Sequence, residues 1–339
     1  MNATMKPNEI EQLADNLCLS EQHEKPVLIE THISWVILSG AFAYKIKKPI
    51  RFSFLDFSSL KKRKYYCERE LTLNQRLSPQ MYLQVVPVYQ NGQNFSVNAK
   101  NGRIVDYAVL MKRMDTGKEM DKLLKAGQVS KQAIIALAGK LAAFHRDAIA
   151  VKHQPDIAAL RVRFNDVLSV QGFSGWHLGA PFAVLIDKAV QYSDRFLEQY
   201  RSLIIERYVK GFVRDLHGDL HTANIFLYDD PVIFDCIEFN DSMRQLDVLD
   251  ELAFLCMDIE ACGRKGLSSL LYREYNRLSG TEQTKMTIAF YHYYKCYRAS
   301  VRAKVLLLRA RDTKDQRVFK TSTQRAKQYL RLLAAYLAT

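Results

Sequence analysis

Residues 217–239, HGDLHTANIFLYDDPVIFDCIEF, gather two His, five carboxylates and one Asn in a stretch whose pattern otherwise reads as loop and strand. Three chemistries are open to such a set. His217 and His221, four apart, would share a zinc ion with Asp219 beside them if the segment were helical. Gly218, soon after the helix-ending VKG at 209–211, argues against a helix, and no second His cluster occurs downstream to complete the ligands. Asp219 and Asn224 stand five apart, the spacing of phosphoryl-transfer loops in which the Asp accepts a hydroxyl proton and the Asn holds a metal. The third reading is a polar turn whose Asp and Asn satisfy only local backbone groups.

The residues just after the loop favour the second chemistry. NIFLYDDPVIFDCI reads as strand, DDP turn and strand, a hairpin that returns Asp235 beside Asp219 and Asn224. A triphosphate arrives with Mg2+, a hard cation that prefers oxygen and keeps several waters, so the Asp235 carboxylate and the Asn224 amide oxygen are suitable ligands. Asp219 is then the group that orients the attacking hydroxyl and takes its proton, since placement and charge stabilisation supply most of the rate in such transfers. The phosphates need a cation too. In AFAYKIKKP, Ala43 and Lys45 share one face of an expected strand and match the A-x-K part of V-A-I-K, the Lys reaching phosphates and the small Ala leaving room for a base. Lys47 shares that face as a weaker candidate. On the next helix, Glu70 is placed to pair with Lys45 and hold it extended, with Glu68 as the alternative.

The elements that must position these groups fall into two regions. Runs at 26–32, 35–39 and 42–48 read as an antiparallel meander, with a helix next over SLKKRKYYCERELTLNQRLSP that sets Tyr66, Glu70, Leu73 and Leu77 along one stripe. Two more strand-like runs, YLQVVPVYQ and RIVDYAVLMKRM, are separated by NGQN and KNGR turns. After MDTGKE the pattern turns helical. SKQAIIALAGKLAAFHRD carries an apolar stripe behind a Ser130 cap, and residues 181–211 open on Pro and close on Gly as one long helix. The expectation is an α+β chain of two lobes, an antiparallel-sheet lobe with one helix over 1–112 and a larger, mainly helical lobe over 113–339.

Length and composition fit a soluble globular chain of more than one domain: 339 residues, 48% apolar and 25% charged. The polar start and the lack of any run of ~20 apolar residues point to a cytoplasmic protein. Six scattered cysteines (Cys18, Cys67, Cys236, Cys256, Cys262, Cys296) without a C-x-x-C pair read as unpaired thiols. Of the net charge of +13, ten units fall in residues 291–339, with twelve Lys/Arg against two Asp/Glu. A solvated face on amphipathic helices is the first reading, and a docking surface for an acidic partner is the second.

Through HGDLHTAN, FDCIEF and DVLDELAFL taken together, the chain resembles the aminoglycoside phosphotransferase and choline kinase-like family, a branch of the protein-kinase-like fold. The SWV, YKIKKP and FLDFSSLKKRKYYCERELTLNQRL segments resemble a bacterial branch sometimes joined to a P-loop ATPase domain, although no G-x-x-x-x-G-K-[ST] occurs here. The resemblance implies a bilobal fold, ATP and Mg2+ as cofactors, Asp219 as catalytic base and Asn224 and Asp235 as metal ligands. It also implies that the THIS turn at 31–34 lies over the phosphates with Ser34 donating a hydrogen bond. By the same resemblance, VLMKRM, with Met111, is the adenine-binding hinge, and Asp247 braces the catalytic loop, although Val248 and Glu251 depart from the family's pattern there.

The resulting expectation is an ATP- and Mg-dependent phosphotransferase that moves the γ-phosphate to a hydroxyl of a small molecule. Tyr294, Arg298 and Arg302 stand four apart on one helical face; arginines paired with neighbouring acids or lying in water are the first reading, and a clamp for an anionic acceptor, which would repel a polycation, is the second. His145 and His221 read as structural hydrogen bonders, and Glu238 as a group within reach of metal or substrate. The alternatives are a catalytically silent kinase-like binding protein with a basic C-terminal docking surface and a zinc hydrolase using His217, Asp219 and His221. A nucleic-acid role is disfavoured, since it needs a continuous basic stripe.

Overall fold

The computed structural model describes residues 5–17, 25–52, 54–97 and 101–338; Cys18 lies outside them. The chain divides into two compact units, one of Met1–Glu119, Asn224–Tyr228 and Val232–Met243, the other of Met120–Ala223, Asp229–Pro231 and Arg244–Thr339.

An antiparallel sheet organises the first unit. β1 (Val27–Glu30), β2 (Ser34–Ser39) and β3 (Phe42–Lys47) form the meander expected from their β-branched and aromatic runs, and a short hairpin of β4 (Arg51–Phe52) and β5 (Leu55–Asp56) comes next. With β6 (Tyr82–Asn91), β7 (Asn94–Ser96) and β8 (Arg103–Lys112), the strand order is β1-β2-β3-β8-β6-β7, each neighbour antiparallel. Gly40 (φ 53) and Gly92 (φ 60) take left-handed positions in the tight turns from β2 to β3 and from β6 to β7, where a side chain would be strained.

The two-residue period of a strand divides β3 between two layers. Tyr44 and Ile46 enter a core with Trp35, Ile37 and Ala108, which α1 (Pro7–Asn16) closes with Ile10 and Leu13. Ala43 enters the opposite core with Cys67 of α2 (Leu60–Gln75), Val109 and Met111. The hairpin of β10 (Ile225–Phe226) and β11 (Val232–Ile233) contributes Phe226 and Val232 to that same core. Ser59 caps α2, accepting from the Lys62 amide at 3.3 Å.

The buried stripe of α2 is Arg63, Cys67, Glu70 and Asn74, which shares only Glu70 with the stripe read from the sequence. Polar side chains are inside because each has a partner there. Arg63 Nε donates to both oxygens of Asp106 in β8, at 2.9 and 3.0 Å, and Asn74 Oδ1 accepts the Cys236 amide at 2.9 Å.

The second unit is mainly helical: α3 (Met120–Ala126), α4 (Lys131–Asp147), α5 (Ile157–Asn165), α6 (Gln171–Leu178), α7 (Ala180–Gln199), α8 (Arg201–Val209), α9 (Val248–Ala261), α10 (Lys265–Ser279), α11 (Lys285–Asp312) and α12 (Gln316–Leu337). A ladder of β9 (Val213–Asp215) and β12 (Gln245–Asp247) joins them. Ser130 caps α4, and Ile134, Leu137, Ala138, Leu141 and Phe144 bury the expected stripe. The single helix expected over 181–211 is broken at Tyr200 (φ −106, ψ 17), where its ring packs between Phe196 at 4.5 Å and Phe290 at 6.0 Å. Every residue of α9 from Val248 to Ile259 is buried, so this helix is the interior strut of the unit. Among the described residues no helix is long and apolar enough to cross a membrane, and Cys67, Cys236, Cys256, Cys262 and Cys296 form no disulfide.

Candidate active site

In the first unit, strand alternation puts Lys45 and Lys47 on the α2 side of β3, one rung apart. Lys45 Nζ lies 2.5 Å from Asp235 Oδ1 and 2.7 Å from Glu70 Oε1. Lys47 Nζ lies 2.6 Å from Glu70 Oε2 and contacts Glu238 Oε1. Glu70 therefore holds both lysines, while Asp235 and Glu238, three residues apart, each take one. Burial pushes the Lys45 ammonium towards neutrality, but Asp235 and Glu70 outweigh it and keep its pKa well above the ordinary lysine value. Burial likewise pushes Glu70 up, and Lys45 and Lys47 reverse the shift, holding the carboxyl below its ordinary range.

Asp235 has φ +64 and is the non-glycine residue with positive φ among the described residues, a conformation that a chain keeps only where the surroundings impose it. Four hydrogen bonds do so here. The Asp235 amide donates to the Tyr82 hydroxyl at 3.1 Å, the Cys236 amide is held by Asn74, and the Ser78 hydroxyl donates to the Ile233 carbonyl at 2.7 Å. Across the hairpin, the Phe234 amide donates to the Asn224 carbonyl at 3.0 Å, which brings residue 224 next to Asp235. The Asp235 side chain is 45% exposed. Ala43 and Met111 are buried and stand opposite each other in the β3–β8 ladder. Ser34 is fully buried as the first residue of β2, its hydroxyl without a hydrogen-bond partner. That placement differs from the open turn expected, because Ser34 is paired with Lys47 in the ladder and its side chain faces inward.

In the second unit, the loop 216–223 is hung from α9. Glu251 Oε1 accepts the amides of His217 and Gly218 at 2.9 and 2.8 Å, and Glu251 Oε2 faces His145 Nε2 at 3.0 Å. His145 Nδ1 meets the Tyr275 hydroxyl at 2.7 Å. Burial pushes the Glu251 carboxyl up, and His145, His217 and the Gly218 amide outweigh it and hold it down. Further along α9, Asp258 Oδ2 accepts the Thr222 amide at 2.9 Å and its hydroxyl at 2.6 Å, and Asp258 Oδ1 takes the hydroxyl of Tyr329 from α12. The bracing role assigned to Asp247 is thus corrected. Asp247 caps α9 through the Leu249 amide at 2.9 Å and binds Arg207 of α8 with both oxygens, while the longer Glu251, one turn on, reaches the loop backbone.

Gly218 has φ +89, which lets the chain turn sharply before Asp219. The Asp219 carboxylate is 42% exposed, 3.5 Å from His221 Nε2. Desolvation pushes its pKa up, but His221, Arg302 and His217 outweigh that and hold it below the ordinary carboxylate range. His217 Nδ1 accepts the Asp219 amide at 3.3 Å and His221 Nδ1 accepts the Ala223 amide at 3.2 Å. Both histidines therefore fix the loop, and among the described residues no group of three or more His, Cys, Asp or Glu is arranged to hold a metal ion. Asp219 belongs to the second unit and Lys45, Asn224 and Asp235 to the first, the chain passing from one to the other between Ala223 and Asn224.

The structure decides between the open readings of three residues in the surroundings. Arg298 pairs with Asp250 by two bonds of 2.6 and 3.0 Å and also donates to the Gly218 carbonyl at 3.4 Å, the pairing with a neighbouring acid that the sequence favours over an anion clamp. Tyr294 lines a cavity of about 50 Å3 with Phe196, Phe290, Tyr293, Asp247 and Asp250. Glu238, expected within reach of metal or substrate, is buried against Lys47. Glu251, Asp258 and Tyr329 do not stand out as functional in the sequence; the only signal for Glu251 is its place in the LDVLDELA segment.

No family model matches the chain. Uncharacterised proteins of Mycobacterium bovis and Mycobacterium tuberculosis are 31% identical to it over 292 residues, an alignment that takes in 85% of this chain and 56% of each relative. The chain thus spans little more than half the length of the curated relatives it matches. Among solved structures, a choline/ethanolamine kinase family protein from Mesorhizobium loti aligns over 98% of this chain and 97% of its own, with a TM-score of 0.53 at 14% identity. An aminoglycoside 2'-phosphotransferase in complex with GDP aligns over 97% and 99%, with a TM-score of 0.55 at 13% identity. A choline kinase from Cryptosporidium parvum aligns over 97% and 96%, with a TM-score of 0.53 at 10% identity. The fold is therefore the kinase-like α+β fold of choline kinases and aminoglycoside phosphotransferases.

Proposed function

We propose that this chain is a nucleoside-triphosphate-dependent phosphotransferase whose acceptor is a hydroxyl of a small molecule, with ATP and Mg2+ as cofactors. The observation that carries the reading is the Lys45 ammonium held between Glu70 and Asp235, a permanently charged group on the small-residue face of β3, next to a half-exposed carboxylate in a strained backbone position. Lys45 would exchange Asp235 for phosphate oxygens when nucleotide binds. Asp235 and Asn224 offer oxygen donors, and Asp235 keeps an exposed side, which fits a hard, partly hydrated Mg2+. Bound there, the ion would offset the charge on the β- and γ-phosphates.

In the transfer itself, the acceptor oxygen bonds to the γ-phosphorus as the bond from that phosphorus to the bridging oxygen breaks. The hydroxyl proton passes to the Asp219 carboxylate, and the nucleoside diphosphate leaves. The low pKa of Asp219 keeps it ionised, so its carboxylate can accept a hydrogen bond from the hydroxyl and orient it. Support for this reading also comes from the fold shared with choline kinases and aminoglycoside phosphotransferases.

The test is diphosphate release from ATP or GTP with Mg2+ across a panel of hydroxyl metabolites, wild type against Lys45→Met. Acceptor-dependent release that Lys45→Met lowers by about a hundredfold or more is expected. A Lys45→Met variant as active as wild type would overturn the reading.

A further inference from the structure

The second lysine of YKIKKP has no open role in the proposed reaction. Lys47 is fully buried, its ammonium between Glu70 and Glu238 and 4.8 Å from the centre of the Phe57 ring, so it cannot reach a phosphate from where it stands. Yet it sits among three carboxylates that share two cations. Asp235, Glu70 and Glu238 face Lys45 and Lys47 in an alternating row, and the two lysines are one strand rung apart while Asp235 and Glu238 are three residues apart in one segment.

When Lys45 leaves this row for a ligand, its two partners fare differently. Asp235 is exposed enough to be rehydrated or to take a metal, but Glu70 is fully buried, and an uncompensated buried carboxylate is strongly unfavourable. Lys47 stays on Glu70. We infer that Lys47 is a positioning residue that keeps Glu70 neutralised and, through Glu238, fixes the 235–238 segment, so that Lys45 alone is free to move to a phosphate. Its part in nucleotide binding rests on the phosphotransferase reading; its part in fixing the segment does not. Arg69 of α2 reinforces the same segment from outside, donating to the Glu238 carbonyl at 2.9 Å and pairing with Asp241.

Lys47→Met alone would leave Glu238 buried without a cation, so the decisive variant is Lys47→Met with Glu238→Gln, which removes both charges of that rung. Two measurements are made on the full chain: nucleotide affinity by titration with Mg-ATP and Mg-GTP, and hydrogen exchange of the amides of Asp235 and Cys236, with the α4 amides as an internal reference. The double variant is expected to bind nucleotide about tenfold or more weakly, and its Asp235 and Cys236 amides to exchange about tenfold faster, while α4 is unchanged. If both affinity and exchange match wild type, Lys47 does no more than neutralise Glu238 and the inference is overturned. If wild type itself binds neither nucleotide, the phosphotransferase reading falls, and the exchange result alone decides whether Lys47 fixes the segment.

Discussion

Glu251 shows how much depends on side-chain length at one position. Its two oxygens serve the loop amides on one side and His145 on the other, and an Asp in its place would fall one methylene short. Glu251→Ala leaves two buried amides without acceptors, a cost of roughly 2–4 kcal/mol. Chemical unfolding midpoints check this, and an unchanged midpoint would show that water replaces the carboxylate. A second expectation concerns Asp219. Because His221, Arg302 and His217 hold its pKa down against desolvation, it stays ionised as pH falls through the ordinary carboxylate range. The rate with an acceptor should therefore hold from about pH 7 to about pH 5, and His221→Ala should move the acid limb upward towards the ordinary value near 4. A wild-type limb centred near pH 6 would assign the proton acceptor to another group. Lys45 and Glu70 were legible because strand alternation and helix position put opposite charges in reach. Glu251 and Asp247 were not separable in that way, since both lie at the start of one helix and only their lengths and directions decide which meets the loop.

At the scale of elements, the loop 216–223 is fastened to two helices that the chain forms later. Tyr329, near the middle of α12, reaches Asp258 of α9, which in turn holds Thr222. Tyr329→Phe removes one hydrogen bond to a buried carboxylate, worth about 1–3 kcal/mol. The expected signature is faster exchange of the Thr222 amide and a lower turnover at unchanged nucleotide affinity; exchange that stays at the wild-type rate would mean that α12 does not restrain the loop. The meander, α2, α4 and the β10–β11 hairpin were readable from periodicity and turn residues. α1 was not, because its buried set of Ile10, Leu13 and Ala14 is a single short patch in an otherwise polar helix. The rest of the buried face of α2 is hidden for the opposite reason: Arg63 and Asn74 look like surface residues until their partners in β8 and the 233–238 segment are known. The break at Tyr200 carries no Pro or Gly and coincides with packing of its ring against the local Phe196 and the distant Phe290.

At the scale of the whole molecule, the positive charge concentrated in residues 291–339 separates into three populations. Lys295 and Arg298 are buried against Glu260 and Asp250, Arg302, Lys304, Arg325 and Lys327 are half-buried, and Arg309, Arg311, Lys314, Arg317, Lys320 and Arg331 are exposed. Half of these twelve basic residues therefore lie on an exposed face, and the rest are wholly or partly buried. Like charges on that face repel, so the melting temperature should rise as ionic strength goes from about 20 mM to about 200 mM, where the screening length shortens to roughly 7 Å. A melting temperature insensitive to salt would mean that the exposed arginines and lysines are already compensated. The central claim is that one chain supplies both the cation for the phosphates and the proton acceptor for the hydroxyl, and single-turnover transfer of labelled γ-phosphate to an identified acceptor tests it most directly. Asp219→Asn should bind Mg-nucleotide as wild type does and transfer phosphate about a thousandfold more slowly; transfer at the wild-type rate would contradict the assignment of Asp219 and the reaction built on it.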